Sequence, residues 1–428
     1  MTRSFFSRDF IAKIQASFAC QASRVLYGSA VAILIWKETR GLSLGYWYGA
    51  VSWLTLIMFV DVGFTATAVD KLSHGDGPVD KGSRRQTVVA LATAYYCIVT
   101  CAVFAVLSAL WLSGKMPPDW RSCAAILVLA SATLVTALNA FQISLLQAAG
   151  HWERSQYLPV IPYVIGAAIM GLGFYFGLYP IEAVAAGQLA FALGVTLLLR
   201  REMPDKVDGQ VIFPNALKEL WRIPHGLRSP EIRFYYSLMA CAVLSRLAMF
   251  AASLREATIM VGEIGRLNQT LLTVISICFF PVNGLANRVI GDLRRGAHRQ
   301  VVVSDMLRMF STATAIALAG TISVLVVVNV HISWLAATRL LLGQQSLLGT
   351  ALVLEALILA AVPILAFVSH GNYWRGSITI AILSGLPWLI YAVIPGINFF
   401  YTRIFVDLLV GAKVLLDYRA SFGEEQRP

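Results

Sequence analysis

Apolar residues fall along this chain in long, nearly unbroken runs, without the two-residue alternation of a half-buried strand. A helix needs about 20 apolar residues to cross a bilayer. By that criterion the chain divides into twelve predicted spans, at 11–36, 45–68, 87–112, 122–147, 157–178, 181–199, 232–254, 258–289, 301–328, 346–369, 376–395 and 398–416. Tight turns at Leu178-Tyr179-Pro180 and around Pro395-Gly396 join two neighbouring pairs. The longest connection, 200–231, is rich in charge and proline and separates two sets of six spans. The predicted organisation is therefore a six-helix lobe over 1–199, a cytoplasmic linker over 200–231, a second six-helix lobe over 232–416 and a tail over 417–428. The expected fold is an all-α integral membrane protein of about twelve transmembrane helices, its two lobes surrounding a central cavity and rocking around it. Span count and linker position carry the two-lobe expectation, since the halves share no strong letter-by-letter repeat.

Composition points the same way. Of 428 residues, 58% are hydrophobic and 13% charged, about half the charged share of a soluble domain, and the mean hydropathy is +0.70. The net charge of +11 would suggest nucleic acid as partner in a soluble protein. Here the basic residues sit mostly in short loops between apolar runs, and no nucleic-acid-reading motif accompanies them. Counted by side, 22 lysines and arginines lie with the termini, against six opposite: Lys37, Arg40, Lys115, Arg121, Arg255 and Arg339. Positive charge concentrates in cytoplasmic loops, so both termini are expected in the cytoplasm. The first apolar stretch continues to Trp36 with Lys13 and Arg24 inside it, unlike a short cleavable signal.

Charges inside the spans are the informative residues, because each costs about 2.5–3.5 kcal/mol at mid-bilayer on insertion scales. Arg24 falls near the middle of the first span and Arg246 near the middle of the seventh. If the lobes are related, these are equivalent helices, and two guanidinium groups facing one cleft would suit an anionic ligand. Asp61, in the second span, is a candidate partner for Arg24 or a titrating group that couples transport to an ion. Glu355, alone in the tenth, is a second coupling candidate. Glu263 and Arg266 stand three apart on the eighth span and can pair. Asn139 and Gln142 on the fourth span, Gln269 on the eighth and Tyr163 on the fifth complete the binding candidates, with interhelical hydrogen bonding the competing role for Asn139 and Gln142. Arg403 and Asp407, four apart, read as a structural pair.

The six cysteines and six histidines show no metal-ligand spacing, and no phosphate-binding loop or nucleophile elbow is present. No cofactor, metal or enzymatic activity is therefore expected. The connections on the side away from the termini are short, which argues against a membrane glycan polymerase.

Gly45-Tyr46-Trp47, followed by Val60-Asp61-Val62-Gly63-Phe64, resembles the opening of the polysaccharide (O-antigen type) flippases of the multidrug/oligosaccharidyl-lipid/polysaccharide exporter superfamily. In that family a Gly-aromatic turn follows the first helix. Leu145-Leu146-Gln147-Ala148-Ala149-Gly150, and Phe280-Pro281 with Ala286-Asn287-Arg288, are similar to its fourth and eighth helix ends. Lys37-Glu38-Thr39-Arg40-Gly41-Leu42 departs from the family's more common Leu-Gly-Pro-Glu run. The resemblance implies a cationic cavity alternating between two faces of a bacterial inner (plasma) membrane. Its implied cargo is an undecaprenyl-diphosphate-linked glycan for lipopolysaccharide or exopolysaccharide biosynthesis, and its partners membrane lipids and polysaccharide assembly proteins. The alternative is a cation-coupled exporter of small organic molecules; the excess of intramembrane arginine favours an anionic cargo.

Overall fold

The computed structural model describes residues 8–57, 81–148, 152–202, 247–266, 269 and 373–423. Every regular element among them is helical. In chain order these are α1 (Arg8–Lys37), α2 (Gly41–Thr55), α3 (Lys81–Leu112), α4 (Trp120–Ala148), α5 (Trp152–Tyr157), α6 (Val160–Tyr175), α7 (Pro180–Glu202), α8 (247–255), α9 (258–266), α10 (Tyr373–Val393) and α11 (Phe399–Gly423). The predicted spans 301–328 and 346–369 lie outside the described residues, as do most of 232–254 and of 258–289.

Among the described residues, four stretches are long and apolar enough to cross a membrane: Ala90–Leu112, Trp120–Leu146, Arg154–Tyr175 and Pro180–Arg201. Their outer faces are as apolar as their cores. Phe104, Leu127, Ile161, Leu172 and Leu197 are all exposed. Helices with continuous apolar faces on both sides require hydrocarbon around them, and helices satisfy their backbone groups internally there.

The helix ends show why the turns fall where they do. Gly114 and Gly177 adopt positive φ angles of 67° and 92°. Each closes a Schellman motif: Gly114 N–H donates to the Trp111 carbonyl and Lys115 N–H to that of Leu110. Gly177 N–H donates to Phe174 and Leu178 N–H to Gly173. The next helices are capped in turn. Asp119 accepts the Ser122 N–H at 2.8 Å to start α4. Tyr179 N–H donates to Glu182 at 3.1 Å, with Pro180 at the first helical position of α7.

Asp119 provides a pH test. Burial pushes its carboxyl up, but hydrogen bonds from the Ser122 hydroxyl and N–H, together with the Arg40 charge, outweigh this and hold it below its ordinary value. The cap is therefore intact above the ordinary carboxylate range and is lost as pH falls through the lowered value. Asp119→Ala is expected to cost about 1 kcal/mol at neutral pH. A thermal melt in detergent should show that gap narrowing as the pH is lowered into the acid range.

The second helix begins four residues earlier than its predicted start at Gly45, so Gly45-Tyr46-Trp47 lies inside α2 and the break from α1 falls at Glu38-Thr39-Arg40. Leu44 N–H already bonds the Arg40 carbonyl, so the helix is under way by then. Gly41, Gly45 and Gly49 are spaced by four, which puts them on one stripe of α2, where a close neighbour requires small residues.

The chain separates into two compact units, each described by itself. The first comprises Met1–Met239 with Glu256–Arg266; the second comprises Ala240–Arg255 with Leu267–Pro428. In the first unit, α7 packs along both α4 and α6, α1 lies on α6, and α2 and α3 lie on α4. Leu146, Leu158, Val195 and Leu199 form one core, and Ala50, Leu110 and Ile126 another. Gly166 and Gly187 let α6 and α7 approach closely: a Cβ on Gly166 would stand 2.8 Å from the Gly187 carbonyl oxygen. In the second unit α10, which contains Pro387, packs on α11. Arg255 at the end of α8 donates to the Tyr391 carbonyl at 2.9 Å, satisfying a last-turn carbonyl of α10, and its guanidinium lies 4.4 Å from the Tyr391 ring centre.

Candidate functional site

Arg24 lies thirteen residues before the end of α1 at Lys37, or about 20 Å at 1.5 Å per residue. Arg24 falls near the start of the apolar stretch of α1, Ala22–Ile35. Its side chain is exposed, and none of the ion pairs among the described residues involves it. It sits close enough to the Cys20 thiol and the Tyr163 phenol to act on both electrostatically. Beside it Tyr163 stacks on Phe191 with ring centres 4.3 Å apart, and Tyr27 meets both rings, at 5.4 and 5.6 Å. Gly166 makes this cluster possible, since a Cβ there would meet the Tyr27 ring at 2.9 Å. The result is a guanidinium near Tyr163, one ring of a three-ring cluster drawn from α1, α6 and α7. Chemically it offers charge to an anion and flat apolar surface to rings stacked against it.

The second constellation centres on Arg266. Helix α9 crosses α2 with almost nothing between the backbones. A Cβ on Gly262 would lie 3.0 Å from the Gly45 nitrogen and 3.1 Å from the Gly41 oxygen. One on Gly45 would collide with the Thr258 carbonyl, and one on Gly265 with the Tyr48 ring. At the end of this crossing the Arg266 Nη2 donates to the Glu38 carbonyl at 2.9 Å, and its Nη1 lies 3.5 Å from Glu263 Oε1. Arg266 is only 9% exposed, so a lost partner would leave a buried charge uncompensated.

Glu38 itself is 2% exposed. Its carboxylate takes three bonds from Arg40: the backbone N–H at 3.0 Å, Nε at 2.9 Å and Nη2 at 2.9 Å. The Arg40 guanidinium rests 3.7 Å from the centre of the Tyr179 ring, which Arg121 also approaches at 5.1 Å. Lys37 similarly lies over Phe174 at 5.0 Å. Lys37, Arg40, Arg121 and, in the second unit, Arg255 are four of the six basic residues counted opposite the termini. Each lies over an aromatic ring, which offsets the cost of a cation at the edge of the apolar layer.

Asn139 and Gln142 do not act together. Asn139 is 4% exposed; its Nδ2 donates to the Ala192 carbonyl at 2.8 Å and its Oδ1 accepts from Thr196 at 2.9 Å, both on α7. Gln142 turns to α3, donating to the Tyr96 hydroxyl at 2.9 Å. Both join helices. Asn139→Ala would remove both bonds between α4 and α7, leaving the Thr196 hydroxyl its bond to the Ala192 carbonyl, at an expected cost of about 1 kcal/mol. Asn139→Asp would also lose the amide donor to the carbonyl. Both should lower the melting temperature of the purified protein, whatever the cargo.

Gln269 is helical and half-buried. Asp61, Arg246 and Glu355 lie outside the described residues, and so does the side chain of Asp407; Arg403 is buried. Among the described residues no three of His, Cys, Asp and Glu gather to hold a metal. Sequence patterns missed Glu38, Arg40, Tyr48 and Tyr179. One signal was available: the run from Lys37 to Leu42, where the chain departs from its resembled family, is the run that builds this network.

Helix order, the apolar exposed faces and the chain's overall path define an all-α, multi-pass membrane protein with the fold of a twelve-helix transporter. Solved structures share it, among them two that are described as MATE. One is described as the inward-facing conformation of a multidrug resistance MATE family transporter of the MOP superfamily; it is 12% identical, with a TM-score of 0.55 over 97% of this chain and 98% of that one. The other, MATE in complex with MaD5, is 13% identical, with a TM-score of 0.53 over 97% of this chain and 95% of that one. No protein-family model and no curated protein matches the chain.

Proposed function

We propose that the protein is a transporter that moves a lipid-diphosphate-linked oligosaccharide from the cytoplasmic to the outer face of a bacterial inner membrane by alternating access, with both termini in the cytoplasm. The observation that carries this reading is Arg24: an exposed guanidinium in the helix that opens the chain's first apolar stretch, outside every ion pair among the described residues, near Tyr163, whose ring packs with those of Tyr27 and Phe191. A permanent cation held there suits a diphosphate, and aromatic faces suit sugar rings. The prenyl chain stays in lipid, against the apolar outer faces of the helices. Arg246, with Arg266 released from its partners, extends the cationic lining, and Asp61 and Glu355 are the ion-coupling candidates. The glycan is taken to be undecaprenyl-diphosphate-linked, and polysaccharide assembly proteins are the partners this role would require.

The second reading is a cation-coupled exporter of small organic molecules. The fold favours it, since the transporter described as inward-facing is itself named a multidrug resistance protein. Deleting the gene separates the two readings. A flippase deletion accumulates lipid-linked glycan on the cytoplasmic face, and the wild-type gene clears it. Loss of resistance to small organic cations without such accumulation would establish the exporter instead.

A further inference from the structure

Within the first unit, four apolar stretches reach one level. Ala90–Leu112 and Arg154–Tyr175 end there, and Trp120–Leu146 and Pro180–Arg201 begin there. The turn from α1 to α2 joins them. The Ser122 hydroxyl donates to that of Ser43 at 3.2 Å, and Arg40 reaches the Tyr179 ring. Exposed aromatic residues mark this level: Trp111, Trp120, Tyr175 and Phe176. Such side chains gather where hydrocarbon gives way to lipid headgroups. This end of the first unit therefore lies at headgroup level.

Charge is sorted there. The acids are engaged within the fold. Glu38 is buried and held by Arg40, Asp119 accepts the Ser122 N–H, and Glu182 accepts that of Tyr179. Two bases face outward, since Lys37 and Arg121 are both exposed. Lys37 lies over the Phe174 ring at 5.0 Å. Arg121 lies 5.6 Å from the Trp120 ring centre and 5.1 Å from that of Tyr179. Neither base makes a hydrogen bond or ion pair among the described residues. A ring against one face of a cation leaves its N–H donors unused. Arg40 differs, because its donors are already taken by Glu38; its part is to hold the Tyr179 ring.

The ligand that fits is anionic at one end and apolar at the other. Its phosphate would meet Arg121 and Lys37, and its chains would run along exposed apolar residues such as Leu112 and Leu172. A free inorganic anion would make no use of that apolar surface. We infer that this end of the first unit holds the headgroup of an anionic phospholipid of the bilayer, with Arg121 and Lys37 as its phosphate donors. The inference does not depend on the cargo.

Photolabelling tests it. The purified full-length protein is placed in nanodiscs of phosphatidylcholine. These carry a small fraction of either phosphatidylglycerol or phosphatidylcholine with a photoreactive group near the headgroup. After illumination, peptide mapping should find the phosphatidylglycerol label on residues 111–121 or 174–182. Its yield should exceed that of the phosphatidylcholine probe by about 10-fold, as two basic contacts to an anionic headgroup imply. Lys37→Gln combined with Arg121→Gln should remove most of that difference. Labelling near Arg200 and Arg201, at the opposite end of α7, should not change, which reports a folded, inserted protein. The charge-conserving pair Lys37→Arg and Arg121→Lys should keep most of the label. Excess inorganic phosphate should not compete. Equal labelling by the two probes, full labelling of the glutamine pair, loss of label in the charge-conserving pair, or displacement by inorganic phosphate would each overturn the lipid site.

Discussion

Replacing Arg24 with alanine is expected to abolish most transport while leaving the protein folded in the membrane. The guanidinium is exposed, so its removal opens no cavity and leaves no buried partner unpaired among the described residues. What is lost is a charge-assisted contact to the cargo, worth about 1.5–3 kcal/mol, which corresponds to roughly a 10- to 100-fold loss in affinity or rate. Arg24→Lys should retain charge but lose the paired geometry that a diphosphate engages, and so fall between the two. Arg24→Glu should be worse than alanine. The measurement is lipid-linked glycan remaining on the cytoplasmic face of cells carrying each variant, beside the quantity of protein in the membrane. Normal clearance by Arg24→Ala at normal protein levels would remove Arg24 from the transport site. Tyr163→Ala should give a smaller loss, since one ring among three is removed, and it should not alter the preference for anionic cargo.

Gly45→Ala is expected to be the most damaging single-methyl change in the first unit. The added carbon would collide with the Thr258 carbonyl, a backbone atom that no rotamer change can move. Overpacking of this kind costs about 1–3 kcal/mol where neighbours adjust, and here α9 as a whole must shift off α2. Gly49→Ala is the matched control. It lies four residues on along the same stripe, and a Cβ there would meet nothing within 4 Å. Because alanine is the better helix former by about 1 kcal/mol, Gly49→Ala should be neutral or mildly stabilising. Thermal melts of the two variants in the same detergent should diverge in opposite directions from the wild type. Equal melting temperatures would contradict the close crossing of α2 and α9.

These two glycines show where the limits of the sequence lie. The stripe Gly41, Gly45, Gly49 is visible in the letters, but the letters do not say which glycine faces a neighbour. The apolar pattern starts the second span at Gly45, four residues after the helix actually begins. The helix starts at Gly41 because Glu38, Thr39 and Arg40 already reverse the chain, their polar groups held by one another and by Arg266. A two-residue charge pair such as Glu38 and Arg40 is common in loops. It acquires its role from Tyr179, far along the chain, and from Arg266, farther still.

The amides give a similar lesson. Asn139 and Gln142 are three residues apart and seemed to share a face. Three residues on a helix turn through about 300°, which is enough to send Asn139 to α7 and Gln142 to α3 when both neighbours are close.

By itself the sequence determined that this is a multi-pass helical membrane protein. Among the described residues it placed most of the long apolar helices, and it singled out Arg24 as a charge within an apolar run. These follow from transfer energetics, which act on each segment alone: a run of apolar residues enters hydrocarbon as a helix whatever lies beside it. Only the tertiary structure decided which polar groups are engaged and which are open. It turned Asn139 inward, fastened Arg266 to Glu38, brought Tyr163 near Arg24 and packed α9 on α2. Those outcomes depend on distances between helices remote in sequence, where one methyl group or one carbonyl settles the geometry, and no local pattern encodes them.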